Sequence, residues 1–308
     1  MQNSGLGNAI NPLISLVDED VYSIPVLLLI GWRGEPGKKD EPQHIKQGKV
    51  TIDLLDTLRI PHGILPDSIE DAGRTIKIAI NTLKRKSSSY ALVVRKKTFE
   101  PYKLKKKISA KFELSREDAI RFIVDSLEDK AIIVSTTGKT SRELFEYRKE
   151  LSQSHNKDFL TVGSMGHASQ IALSIALSKP SRIVYCLDGD GALIMHMGSL
   201  AIIGSKSPKN FKHIVLNNYA HDSVGGQPTA ALKINIPAIA KTCGYKIILS
   251  AEKRIDLEEN INLLKHSNGP ALLEIKVKKG ARENLGRPTI SPKENKKALM
   301  HFLQKKEK

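Results

Sequence analysis

Two short stretches of the 308-residue sequence set oxygen donors beside glycines, a combination suited to a metal ion and a phosphate group. The first is Leu187-Asp188-Gly189-Asp190-Gly191-Ala192, and the second is Val215-Leu216-Asn217-Asn218-Tyr219-Ala220. Asp190 offers a carboxylate and Asn218 an amide oxygen. Both are hard ligands suited to Mg2+ or Ca2+, and either ion can hold a diphosphate. Gly189 and Gly191 have no Cβ, so the backbone there can approach phosphate oxygens closely. Taken alone, a Gly-Asp-Gly turn is compatible with an ordinary strand-to-helix connection. The residues between Gly191 and Asn217 suffice for one helix and the next strand. Both stretches therefore fall at the carboxyl ends of predicted strands, where open α/β sheets bind ligands.

Positioning them requires an alternation of strands and helices. Residues 24–31 (IPVLLLIG) read as a strand buried on both faces, as a parallel sheet allows. Residues 90–94 read as another. Helical spacing covers 9–16, 45–58 and 69–83, with Ile45, Val50, Leu54, Leu55 and Leu58 on one stripe of the second. This alternation argues for an α/β domain over 1–95. The polar, basic stretch 96–111, with its one proline, reads as a linker. A second α/β domain then spans 112–280. Its strands are expected at 131–135, 182–187, 213–217, 246–249 and 271–275. Its helices are expected at 115–127 (opened by a Ser-x-x-Asp start signal), 141–151, 167–177, 193–204, 236–242 and 257–265. Residues 281–308 read as a basic tail with a short helix at 296–303.

The paired motifs resemble the GDG…NN signature of thiamine-diphosphate enzymes. Further stretches are similar to the phosphonopyruvate decarboxylase family in particular: residues 2–13 (QNSGLGNAINPL), 31–44 (GWRGEPGKKDEPQH), 135–143 (STTGKTSRE), 162–170 (VGSMGHASQ) and 220–229 (AHDSVGGQPT). Sulfopyruvate decarboxylases share part of the pattern. The resemblance implies two parallel-sheet α/β domains, a pyrimidine-binding one over 1–95 and a diphosphate-binding one over 112–280, in a self-associating 2-oxoacid decarboxylase. It implies thiamine diphosphate held through Mg2+ by Asp190, Asn218 and the carbonyl of Ala220. Thr137, Gly138, Lys139, Ser164, Met165, Gly166, Gly189 and Gly191 would lie by the cofactor, with Met165 a wedge beneath it. His44, His221 and Asp222 are the candidate proton-handling groups. His44 follows an acidic, Pro-containing loop, precedes a helix and otherwise reads as exposed or packed, and His221 and Asp222 lie on what otherwise reads as a surface loop. Gly225 and Gly226 would hinge the second of these loops over substrate. Asn3, Ser4, Arg33, Ser223, Arg282 and Arg287 are candidate substrate contacts, the arginines as bidentate partners of a phosphonate and otherwise as surface charges. The implied reaction turns 3-phosphonopyruvate into phosphonoacetaldehyde and CO2 in phosphonate biosynthesis. The alternatives are sulfopyruvate or another anionic 2-oxoacid as substrate, or a non-catalytic cofactor-binding subunit.

The resemblance also implies a segment upstream of Met1, bearing the glutamate that contacts the aminopyrimidine ring. No residue here matches that glutamate, and Glu35 and Glu41 lie in a different motif. The pyrimidine-binding domain is therefore expected to be incomplete. A start at an internal methionine, a separate chain supplying the missing piece, or a degenerate remnant would each account for this.

Composition narrows the class further. The net charge is +16, but the basic residues are not interleaved with stacking aromatics, which make up only 5% of the chain. An anionic small molecule is thus a better partner than nucleic acid. With so few aromatics, the cores should be built from Ile, Leu, Val and Ala. No run of eighteen apolar residues is present, and the start lacks the order of a signal peptide. Cys186 and Cys243 are expected to be buried reduced thiols. Together these features suit a soluble protein of the cytoplasm.

Overall fold

The computed structural model describes residues 1–102 and 111–305. Contacts divide the chain into two compact units, Met1–Lys105 and Lys106–Lys308. Of the expected linker, residues 103–110 lie outside the described residues. No helix among the described residues is long and apolar enough to cross a membrane.

In the first unit, a 3-10 turn at Asn3–Gly5 leads into α1 (Leu6–Ser15). Then follow β1 (Leu27–Gly31), α2 (Pro42–Thr57), β2 (His62–Ile64), α3 (Ile69–Lys86) and β3 (Tyr90–Val94). The three strands are parallel in the order β1-β3-β2, with β3 buried at every position. Leu28, Ile30, Ala91 and Val93 share one face with Leu6, Leu13 and Leu55 from α1 and α2. On the other face, Ala79 of α3 packs on Tyr90 and Leu92. The expectation of a strand buried on both sides fails at β1, where Leu27 and Leu29 are 45% and 46% exposed. Leu27 and Leu29 pair with Tyr90 and Leu92 on that same face, but β1 is the edge strand and α3 covers only the strand beside it.

Helix α2 is also rotated from its expected stripe. Ile45 is exposed, and the buried positions are Gly48, Thr51 and Leu55. The loop after β1 causes this. The indole of Trp32 donates to the Gly48 carbonyl at 2.8 Å, and a Cβ on Gly48 would lie 1.7 Å from the Gly34 oxygen. Only glycine lets that loop sit on the helix.

The second unit runs α4 (Arg116–Ser126), β4 (Ile132–Ser135), α5 (Lys139–Glu150), β5 (Asp158–Leu160), α6 (Ala168–Ser178), β6 (Val184–Gly189), α7 (Asp190–Met195) and α8 (Gly198–Lys206). It continues with β7 (Phe211–Asn217), α9 (Ile236–Thr242), β8 (Ile247–Ala251), α10 (Arg254–His266), β9 (Ala271–Lys276) and α11 (Pro292–Gln304). Six parallel strands lie in the order β5-β4-β6-β7-β9-β8. Tyr185 and Leu187 enter the core on one face, and Val184 and Cys186 enter the core on the other. A central strand covered on both sides reads as an unbroken apolar run for this reason. Ser115 caps α4 with the reciprocal Ser115–Asp118 box that its sequence announced.

Three expectations are corrected here. The single helix expected over 193–204 is two, α7 and α8, because His196 leaves helical geometry at φ −130° and ψ 49°. The carboxy-terminal stretch is more than a basic tail. Leu299 and Leu303 of α11 are buried in the core, and the Asn295 amide donates to the Asp158 carbonyl while accepting from Leu160 N. Those two bonds close the open edge of β5, which an edge strand otherwise presents to solvent. Both cysteines are free, but only Cys186 is buried; Cys243 is half-buried.

Candidate cofactor site

Strands β6 and β7 are neighbours, and Gly189 pairs with Leu216 across them. Register alone therefore brings the ends of the two donor motifs together. Gly189 stands at the start of α7 with an extended backbone, and Asp190 opens the helix. At the end of β7 the two asparagines part company. Asn217 turns inward, donating its amide to Glu274 at 2.8 Å and accepting from Tyr219 N at 3.0 Å. Tyr219 takes a left-handed conformation (φ +57°), which reverses the chain and leaves Asn218 on the cleft. Asn218 Oδ1 accepts from Ala220 N at 3.0 Å, and its Nδ2 donates to Asp222 at 2.7 Å. The loop then returns through an Ala220–Pro228 bridge and a 2.9 Å bond from Thr229 N to the Tyr219 carbonyl.

One cleft gathers Thr137, Lys139, Met165, Gly189, Asp190, Gly191, Asn218, Ala220, His221, Asp222 and Ser223 from the residues singled out by sequence. Gly138 and Gly166 pack closely beside its lining, while Ser164 is exposed and does not line it. Gly138 has φ +103°, and a Cβ there would lie 3.2 Å from Ser223. A Cβ on Gly166 would lie 2.4 Å from the His196 ring, so the turn that presents Met165 must be glycine at that point.

In the first unit, Arg33 is bound to Asp40 through two hydrogen bonds of 2.8 and 2.6 Å. Asn3 is buried and bonded to the Arg33 carbonyl and to Thr51, while Ser4 is exposed. His44 Nδ1 lies 3.3 Å from Gln47 Oε1. In the second unit, Arg282 is paired with Glu117 and Glu146, and Arg287 is exposed.

Sequence reasoning passed over four residues of the cleft region: Arg116, Thr136, Thr140 and Thr229. Arg116 is 5% exposed, binds Glu143 through two 2.7 Å bonds, and reaches Asp222 at 3.3 Å. Burial disfavours its charge, but Glu143 outweighs that effect and holds its pKa above the ordinary value. Asp222 also accepts from Gly280 N at 2.8 Å. Its carboxylate is thus an anchor that holds the Asn218 amide in one orientation. Thr229 donates to Asp190, and its place at the end of the 220–229 stretch was the one signal in its favour.

Asp190 is 2% exposed, and burial pushes its pKa up to about 6, opposed by Thr229 and nearby backbone N–H groups. No Lys or Arg pairs with it among the described residues. A buried carboxylate without a counter-charge, beside an amide oxygen and a backbone carbonyl, is a donor set that fits a hard divalent cation.

The chain as a whole is similar to known proteins. The model of the thiamine pyrophosphate enzyme C-terminal TPP-binding domain matches residues 136–275. The phosphonopyruvate decarboxylase of Streptomyces viridochromogenes is 34% identical, over 95% of this chain and 76% of that protein. The chain belongs to the phosphonopyruvate decarboxylase family. Within this family of thiamine-diphosphate-dependent carboxy-lyases, part of the chain has further relatives. The sulfopyruvate decarboxylase subunit beta of Methanocaldococcus jannaschii is 40% identical over 43% of this chain and 68% of that one. Among solved structures, benzoylformate decarboxylase from Polynucleobacter necessarius aligns with a TM-score of 0.49 and 14% identity. That alignment takes in 83% of this chain and 50% of the other, so this family member spans about half the length of that structure.

Proposed function

We propose that the chain decarboxylates 3-phosphonopyruvate to phosphonoacetaldehyde and CO2, as a step in phosphonate biosynthesis, with thiamine diphosphate and Mg2+ as cofactors. The convergence of Asp190, Asn218 and Ala220 on one cleft with the His221–Ser223 loop carries this reading. Asp190, the Asn218 amide oxygen and the Ala220 carbonyl would hold Mg2+, which in turn binds the diphosphate. Lys139, half-buried in the same cleft, adds a positive charge for that anion. When bound, thiamine diphosphate supplies the electron sink for the pair released as CO2 leaves.

The protein's own residues do the rest. Met165 gives the cleft an apolar wall that keeps water from the reacting centre. A Cβ on Gly191 would lie 2.6 Å from His221 Nδ1, so this imidazole sits against the metal turn, where it can hand on a proton. Asp222, spent on Asn218, Gly280 and Arg116, positions the loop and does not act as an acid. The net charge of +16 favours arrival of an anionic substrate.

The test is to supply the purified chain with thiamine diphosphate, Mg2+ and phosphonopyruvate and to follow CO2 release together with the phosphorus NMR signal of phosphonoacetaldehyde. CO2 and aldehyde in equal amounts support the proposal. Cofactor binding with neither product, both in the chain alone and when a segment bearing the aminopyrimidine-contacting glutamate is supplied, would sink it and favour a non-catalytic subunit. The 40% identity to a sulfopyruvate decarboxylase subunit supports one rival substrate. A higher kcat/KM for sulfopyruvate than for phosphonopyruvate would decide in its favour.

A further inference from the structure

A carboxylate can bind a cation through one oxygen or through both. The large and adaptable shell of Ca2+ accepts both, whereas Mg2+ demands a near-ideal octahedron that favours one. At Asp190 one oxygen is already engaged. Thr229 Oγ1 donates to Asp190 Oδ2, and Ala231 N donates to that same Oγ1 at 3.3 Å. With the hydroxyl oxygen accepting a backbone N–H, its proton is directed at the carboxylate.

Thr229 is itself held in place. It is 6% exposed, and its backbone N is bonded to the Tyr219 carbonyl at 2.9 Å, beside the Ala220–Pro228 bridge. Its methyl group packs against the metal turn, since a Cβ on Gly191 would lie 3.3 Å from Thr229 Cγ2. The hydroxyl thus comes from the same closed loop that supplies Asn218 and Ala220. Oδ1 of Asp190 is left without a side-chain partner among the described residues.

We propose that Thr229 is a positioning residue that restricts Asp190 to one-oxygen coordination and thereby sets a preference for Mg2+ over Ca2+. This rests on the reading of Asp190 as a metal ligand. The hydroxyl occupies the oxygen that a two-oxygen mode would require. Without it, the carboxylate is free to rotate and chelate, which suits Ca2+ and disturbs the arrangement Mg2+ needs.

The experiment measures thiamine diphosphate binding to the full 308-residue chain by calorimetry, at increasing Mg2+ or Ca2+, for wild type, Thr229→Val, Thr229→Ser, Thr229→Ala and Asp190→Asn. Thr229→Ser keeps the hydroxyl and should retain the wild-type Mg2+ preference. Thr229→Val should weaken Mg2+-supported binding by about 10-fold or more while changing Ca2+-supported binding less than about 3-fold. Thr229→Ala removes the hydroxyl without adding bulk and should show the same shift, so a misfolded valine variant does not end the test. An unchanged Mg2+-to-Ca2+ ratio in the alanine variant, with Asp190→Asn losing metal dependence, overturns the role of Thr229 alone. If Asp190→Asn keeps wild-type metal dependence, the ligand reading itself is wrong, and the role of Thr229 falls with it.

Discussion

Burial beside Gly191 and Thr229 takes the Asp190 carboxylate out of water, and its pKa rises from an ordinary 3.8 to about 6. In the metal-free chain the folded state then keeps, between those two values, a proton that the unfolded chain has lost. Stability therefore falls as pH rises through this window, by ~3 kcal/mol once both forms are ionised. Asp190→Asn removes that cost. Thermal melts in EDTA should show the variant more stable than wild type at pH 8, with the advantage fading towards pH 4. Equal melting temperatures at pH 8 would mean that the carboxylate is not strained by burial. At this scale the sequence was informative about types: it singled out Asp190, Asn218 and the glycines. It was silent on partners, because the Thr229–Asp190 bond joins residues 39 apart and Arg116–Glu143 joins residues 27 apart.

Helices α4 and α5 are tied together by the buried Arg116–Glu143 pair, and the same guanidinium reaches the loop after β7 through Asp222. Removing one member strands the other charge, so Arg116→Met is expected to cost about 3–5 kcal/mol in urea unfolding. Replacing both residues, as Arg116→Met with Glu143→Leu, should recover most of that loss, because the stranded carboxylate is what destabilises. The edge strand β1 gives a second contrast. Ile30 is fully buried while its neighbour Leu29 is 46% exposed. Ile30→Ala should cost about 2–5 kcal/mol, and Leu29→Ala under about 1 kcal/mol, in the same assay. Equal costs would mean that the outer face of β1 is covered in solution. Elements with strong periodicity or a cap, such as α4 with its Ser115–Asp118 box, were legible in advance. Strands β2 and β5 were not, since three residues are too few to show a pattern. The break at His196 was hidden by the apolar residues on both sides of it.

The two units differ in how much they bury. Six strands with a packed core on each face form the second, while the three-stranded first unit leaves aliphatic side chains of its edge strand in solvent. Opening free energies follow burial. Amide hydrogen exchange should be slowest in β6, β7 and β9 and clearly faster in β1 and β2. The reverse order would contradict the assignment of the larger core. The charge of +16 is a property of this same scale: it bears on which ligands approach and says nothing about the topology that receives them.

The sequence by itself determined an alternating α/β chain, most of its strands and helices, and the oxygen donors at two strand ends. These follow from local periodicity, turn chemistry and residue type, which are written within a few residues of one another. Tertiary structure decided which of those groups meet. It paired Gly189 with Leu216, turned Asn217 away and Asn218 towards the cleft, and spent Arg33 and Arg282 on neighbouring carboxylates. It also recruited Thr229 and Arg116. Sheet register and the packing of distant helices set those contacts, and neither is encoded in the spacing of any single segment.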